Sequence, residues 1–194
     1  MITDLIIGND SESLALGWLF YSGFSVILAS AAACLTIYYG PGAVGSGITE
    51  LIAFLNGVNY PKLISFESLF TKIFGVILAV VGNLCVGKEG PMAHIGAIIG
   101  ALVAYLPIHG FNYLRNDWSK RELIAAGVSS GVSTAFGAPV GGALFAYEMS
   151  KPNTFWRFGV LWKSFFSCSI AVLVQTIIRN LMTKGNSTDI SAVH

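Results

Sequence analysis

Between Glu12 and Glu50 the chain carries no charged residue, and from Ser13 to Tyr39 nearly every side chain is apolar or small. A helix that crosses a bilayer needs about 20 such residues in succession. The run is too long for a signal sequence, and Asp4, Asp10 and Glu12 precede it where a signal sequence carries Lys or Arg. A membrane-spanning helix is therefore expected here.

Composition extends that expectation to the whole chain. Of the 194 residues 54% are hydrophobic and 11% charged, against roughly 25% charged in soluble domains. The mean hydropathy is +0.70. The formal net charge of +1 supplies no basic field for nucleic acid. The excess of apolar side chains excludes disorder. The class is an all-α integral membrane protein.

The later apolar stretches are shorter and bracketed by charge: Ile73–Gly87, Gly90–Leu114, Leu123–Tyr147 and Ser164–Ile178. A further piece, Ile48–Leu55, is about 12 Å long as a helix, less than half of a ~30 Å hydrocarbon core. Short spans interrupted by Gly and Pro predict discontinuous helices that end inside the membrane and build an ion or substrate site. The alternative is five or six ordinary helices with ragged ends. Lys and Arg occur in nearly every connection, so charge counting does not orient the chain. Gly127 and Gly131, with Ser130 and Thr134, repeat at four-residue spacing, and Gly137, Gly141 and Gly142 follow. This is a helix-packing seam.

Several patterns carry no chemistry. Cys34, Cys85 and Cys168 lack metal-site spacing and are expected to be buried small apolar residues. His94 and His109 have no partner ligands nearby in sequence, so no metal site is expected. Gly40-Pro41-Gly42-Ala43-Val44-Gly45 matches a dinucleotide fingerprint formally, but a membrane helix precedes it rather than a strand. The glycosylation patterns at Asn9 and Asn186 are frequent chance matches near the ends. No nucleophile triad or carboxylate pair suggests an enzyme, and no cofactor is implied.

Two segments stand out. In Gly45-Ser46-Gly47-Ile48-Thr49-Glu50, a Ser between glycines precedes a helical apolar pattern. Such a Ser satisfies the free N–H groups of a helix start, and its hydroxyl can also donate to an anion. In Gly87-Lys88-Glu89-Gly90-Pro91, Pro91 suits the first helical position, with a helix expected over Met92–Leu106. A capped loop explains the Gly and Pro, but not Lys88 and Glu89 between two apolar stretches, where charge is unfavourable and usually functional. Both segments aim a helix start into the interior. The exposed N–H groups and about half a positive charge per terminus bind anions without a full cation. Glu89 is then a tethered anion that competes with a free one, and proton uptake would release the site.

At these residues the sequence resembles the CLC family of chloride channels and chloride/proton exchangers. A third stretch, Ala135-Phe136-Gly137-Ala138-Pro139-Val140-Gly141-Gly142 leading into Leu144-Phe145-Ala146-Tyr147-Glu148, follows in family order. The resemblance covers roughly Leu14 to Arg179. The Gly-Lys-Glu-Gly-Pro-Met wording and Leu55-Asn56-Gly57-Val58 resemble the branch found on intracellular organelles, such as endosomes, lysosomes and vacuoles.

The resemblance implies a bundle of tilted and discontinuous helices forming one incomplete half of an inverted repeat. It divides the chain into an N-terminal segment (1–13), a membrane domain (14–180) and a tail (181–194). It implies chloride as the transported ion, protons as a second substrate in exchangers, and a homodimer. Ser46 matches the serine that coordinates the central anion; Ser there goes with chloride and Pro with nitrate. Gly47 and Ile48 accompany it, while Gly87, Lys88 and Gly90 surround the gating glutamate, Glu89. Glu148 matches an internal glutamate beside the dimer interface. Met149 stands where exchangers usually carry a second, proton-accepting glutamate, and this favours passive conduction. Thr49 replaces a usual Pro. The long first helix of the family is not matched before Leu14. The second repeat, with its pore tyrosine, lies outside the match, so the resemblance implies no pore from one such chain alone. A nonconducting subunit that joins a full-length homologue is a further reading.

Overall fold

The computed structural model describes residues 11–58, 60, 62–105, 116–150 and 158–190; Asn9 and His109 lie outside them. Those residues form α1 (Ser11–Tyr39), a 3-10 turn (Pro41–Ala43), α2 (Ile48–Leu55), α3 (Phe66–Val81), α4 (Glu89–Tyr105), α5 (Asp117–Phe136), α6 (Pro139–Ser150) and α7 (Phe158–Ile190). No strand occurs among the described residues.

The stretch Ala15–Tyr39 within α1 is long and apolar enough to cross a membrane. Trp18 and Tyr21 near one end and Tyr38 and Tyr39 at the other are all exposed. They are separated by about 30 Å along the axis, the thickness of the hydrocarbon core. Amphipathic rings at both ends suit the two membrane interfaces. Helix α1 packs along α3, and its outer face presents Phe20 and Ile27, each at 67% exposure. Lipid or further protein, rather than water, suits that face.

The short helices follow local chemistry. Helix α3 starts at Ser65, whose hydroxyl accepts the Ser68 N–H at 3.1 Å. The stretch expected over 123–147 is two helices rather than one. Gly137 ends α5 in the left-handed conformation (φ +68°), the Ala138 N–H bonds back to the Ser133 carbonyl at 3.1 Å, and Pro139 opens α6.

Helix α7 corrects a sequence expectation. Lys163 and Arg179 were expected to bracket a short apolar piece, yet one continuous helix of 33 residues runs from Phe158 to Ile190. Its stretch Phe158–Thr183 is a second candidate span. Lys163 does not end the helix, because its ammonium pairs with Glu122 of α5 at 2.8 Å.

Helix α5 is the hub, packing on α4, α6 and α7. Its contact with α4 is backbone against backbone. A Cβ on Gly96 would meet the Gly127 carbonyl oxygen, and one on Gly127 would meet the Gly96 carbonyl oxygen. Gly100 faces the Leu123 carbonyl and Gly131 the Met92 carbonyl in the same way. Gly142 of α6 lies against Ser129 and Ser133 of α5. The seam predicted from spacing is therefore present at Gly127, Gly131 and Gly142, while Gly137 contributes a cap and Gly141 meets only Ala138. Beside it, Ala93, Ala97 and Ala101 of α4 and Ile124, Val128 and Val132 of α5 form the core, with Leu51 and Leu55 of α2. Cys168 is buried as expected, but Cys34 and Cys85 are exposed: Cys34 lies on the outer face of α1, and Cys85 follows α3.

The Gly96→Ala substitution is expected to force α4 and α5 apart, with the ~1–3 kcal/mol loss typical of overpacking. Gly23→Ala, in α1 with open space around it, is expected to leave stability unchanged or slightly raised. Thermal unfolding in detergent separates the two; equal behaviour contradicts the seam.

Candidate functional site

The segment before α2 is built from glycines at two positive-φ positions, Gly45 (φ +69°) and Gly47 (φ +81°), where L side chains are strained. Gly47, not Ser46, is the residue at the helix boundary. The hydroxyl of Ser46, one residue earlier, receives the Ile48 N–H at 3.4 Å. This corrects the simple capping expectation. Ser46 is held as a weak local partner and stays exposed, so its hydroxyl remains open to another ligand. The helical ladder begins with the Leu51 N–H on the Gly47 carbonyl at 3.0 Å, so the N–H groups of residues 49 and 50 precede it. Thr49 is the second helical residue, and its hydroxyl donates to Glu50 Oε2 at 2.9 Å.

Helix α4 starts at Glu89, earlier than expected, which places Pro91 third rather than first. Its ladder opens with the Met92 N–H on the Lys88 carbonyl at 3.0 Å. Pro91 still removes no bond, because its position lies within the unbonded first turn. The N–H groups of Glu89 and Gly90 head the helix.

The two helix starts meet. A Cβ on Gly90 would lie 2.8 Å from Ser46 Cβ and 3.3 Å from the Ser46 carbonyl oxygen. Only a glycine at position 90 lets the first turn of α4 rest against this loop. Gly87 plays a matching part for Glu89, since a Cβ there would lie 2.5 Å from Glu89 Oε2. The carboxylate folds back over the bare Gly87 backbone.

Both starts open on one cavity of about 810 Å³. Ser46, Ile48, Gly87, Glu89 and Gly90 line it, together with residues of α1 such as Ala33 and Thr36 and of α3 such as Lys72 and Val76. Five of the residues singled out in the sequence thus converge. Gly47 is buried behind the lining, and Lys88 is exposed and lies outside it. Glu148 is exposed on α6. Met149 is buried at 5% exposure within the apolar core that includes Leu51 and Leu55.

Sequence reading used Lys72 only as the edge of an apolar run. In the structure it is 4% exposed, and its ammonium donates to the Ala43 carbonyl at 2.9 Å and the Gly45 carbonyl at 2.6 Å. It also lines the cavity. Lys72 thereby holds the Ser46-bearing loop from α3 and sets a positive charge in the cavity wall. The carbonyls that satisfy it lie 27 and 29 residues away in sequence, so only the unusual charge within an apolar run signalled it.

Two helix starts, the Ser46 hydroxyl and Lys72 line the cavity together with the Glu89 carboxylate, and helix starts of this kind can attract an anion through their dipoles. Lys72→Met leaves the Ala43 and Gly45 carbonyls without their charged donor. Each such bond contributes about 1.5–3 kcal/mol, offset in part by the burial of the ammonium. The expected result is a melting temperature lower by about 5 °C or more. An unchanged melting temperature contradicts the tethering role.

The voltage gated chloride channel family matches residues 27–192. The chain is 40% identical over 184 residues to chloride channel protein CLC-c of Arabidopsis thaliana, covering 90% of this chain and 23% of that one. It is 38% identical over 192 residues to H(+)/Cl(-) exchange transporter 7 of Bos taurus, covering 95% of this chain and 23% of that one. The chain thus spans about a quarter of the length of these relatives. The fold is similar to the crystal structure of a eukaryotic CLC transporter, with a TM-score of 0.74 and 28% identity, covering 84% of this chain and 30% of that one. The chain belongs to the voltage-gated chloride channel (CLC) family, and its helices form a part of the CLC membrane fold.

Proposed function

We propose that the protein takes part in moving chloride across a membrane, with the anion held in the cavity where α2 and α4 begin. The observation that carries this reading is the convergence of Ser46, Ile48, Gly87, Glu89 and Gly90 on one cavity. In this reading the Ser46 hydroxyl and the N–H groups at the start of α2 hold the anion. Those at the start of α4 form an outer position. Glu89, at the rim, gates entry by occupying the anion's place when ionised and leaving it when protonated. Lys72 raises the local positive potential without contacting the anion. Binding that rests on partial charges is firm enough to select an anion and weak enough to release it.

Two variants of transport differ in the proton. Met149 sits in the apolar core, which offers a proton no acceptor at that position and favours passive conduction. The relative named an H(+)/Cl(-) exchange transporter favours exchange. A reversal potential that moves with the proton gradient at fixed chloride decides for exchange. One that does not move decides for conduction. The reading further places the protein, as a homodimer or paired with a homologous subunit, in an intracellular organelle membrane. Gly87–Met92 and Leu55–Val58 support that placement.

Liposomes carrying the protein as its gene encodes it are expected to release chloride down its gradient. Glu89→Gln is expected to abolish the pH dependence of that release, and Ser46→Pro to shift preference from chloride toward nitrate. Flux, pH dependence and selectivity all unchanged in both variants would overturn the assignment.

A further inference from the structure

His94 lies on α4, just over one turn beyond Glu89, and is fully buried. Its Nε2 is 3.0 Å from the Leu63 carbonyl oxygen, in the connection between α2 and α3. A carbonyl only accepts, so in the neutral ring Nε2 carries the proton and Nδ1 presents a lone pair. That Nδ1 has no hydrogen-bond partner among the described residues, although buried acceptors of this kind are rare. It faces the backbone of Gly47. A Cβ on Gly47 would lie 2.5 Å from Nδ1 and 2.8 Å from the ring's Cγ. The hydrogen that Gly47 carries in place of a Cβ therefore points at Nδ1.

We propose that His94 is a positioning residue for the anion site. The ring is anchored at one edge by Leu63 and presses its other edge into the space left by the missing side chain of Gly47. Gly47 is the left-handed residue that turns Ser46 and the start of α2 toward the cavity. The ring thus registers the Ser46-bearing loop against the helix that begins at Glu89. A weak C–H contact to the lone pair suits this geometry, and the neutral ring adds no net charge beside the site. Lys72 holds the same loop further upstream, at Ala43 and Gly45. The loop is therefore fixed from two helices at successive points. This inference rests on the proposed anion site.

The test is chloride affinity by titration calorimetry, with chloride-over-nitrate selectivity from liposome flux, on the protein as its gene encodes it. His94→Gln keeps a donor for Leu63 and removes the ring. It is expected to weaken chloride binding about fivefold, close to 1 kcal/mol, and to narrow the selectivity. His94→Asn, which falls short of Leu63, is expected to lose more. Gly47→Ala meets the ring, and Gly47→Ala with His94→Ala is expected to bind chloride more tightly than Gly47→Ala alone. A ring that only fills the core would lower thermal stability and leave selectivity at the wild-type value. Wild-type affinity and selectivity in His94→Gln or His94→Asn, or additive losses in the double variant, would overturn the positioning role alone. No chloride binding by the unaltered protein would overturn the functional reading and this inference with it.

Discussion

Helix α4 is held by bare backbone on two sides, and the site depends on that. At its first turn Gly90 rests on Ser46, and further along Gly96 and Gly100 rest on α5. In a bilayer, hydrophobic exclusion contributes little to helix association, because lipid tails are as apolar as leucine. Close backbone approach and dispersion contacts must supply it instead. Here the same device sets stability along the α4–α5 seam and geometry at the α4 start. A side chain at Gly90 would separate the two helix N-termini, and the cavity would lose one of the two helix starts that open on it.

The loop from Ala43 to Gly47 is irregular backbone inside a membrane protein, where unsatisfied polar groups are unfavourable. It is permitted because protein lines it. Lys72 satisfies the Ala43 and Gly45 carbonyls, the Ser46 hydroxyl leans on the Ile48 N–H, and the His94 ring fills the hollow at Gly47. Ser46, Lys72 and Glu89 are among the residues that line the cavity. The proposed preference for anions and the stability of the loop would then rest on the same allocation of partners.

Much of this was legible in the sequence because it is local. The uncharged run marked α1, the spacing of Gly127 and Gly131 marked the seam, and the Gly-Ser-Gly and Gly-Lys-Glu-Gly-Pro segments marked both helix starts. Features that depend on distant partners were not legible. Lys163 read as the edge of an apolar segment because its partner, Glu122, is on another helix, so α7 was expected to be shorter than it is. Lys72 read as a boundary for the same reason. His94 was read only as lacking a metal site, since neither Leu63 nor Gly47 is near it in sequence. The left-handed turn at Gly47 also displaced Ser46 from the capping position that spacing alone suggests.

The most direct test of the account is the location of a heavy halide. Crystals of the protein as its gene encodes it, grown in bromide, should show an anomalous peak in the cavity beside Ser46 and the first turn of α2. A second peak, beside Gly90, should appear in Glu89→Gln crystals when the carboxylate no longer competes. Peaks confined to other surfaces, with none between the starts of α2 and α4, would contradict the claim that these two helix N-termini form the anion site.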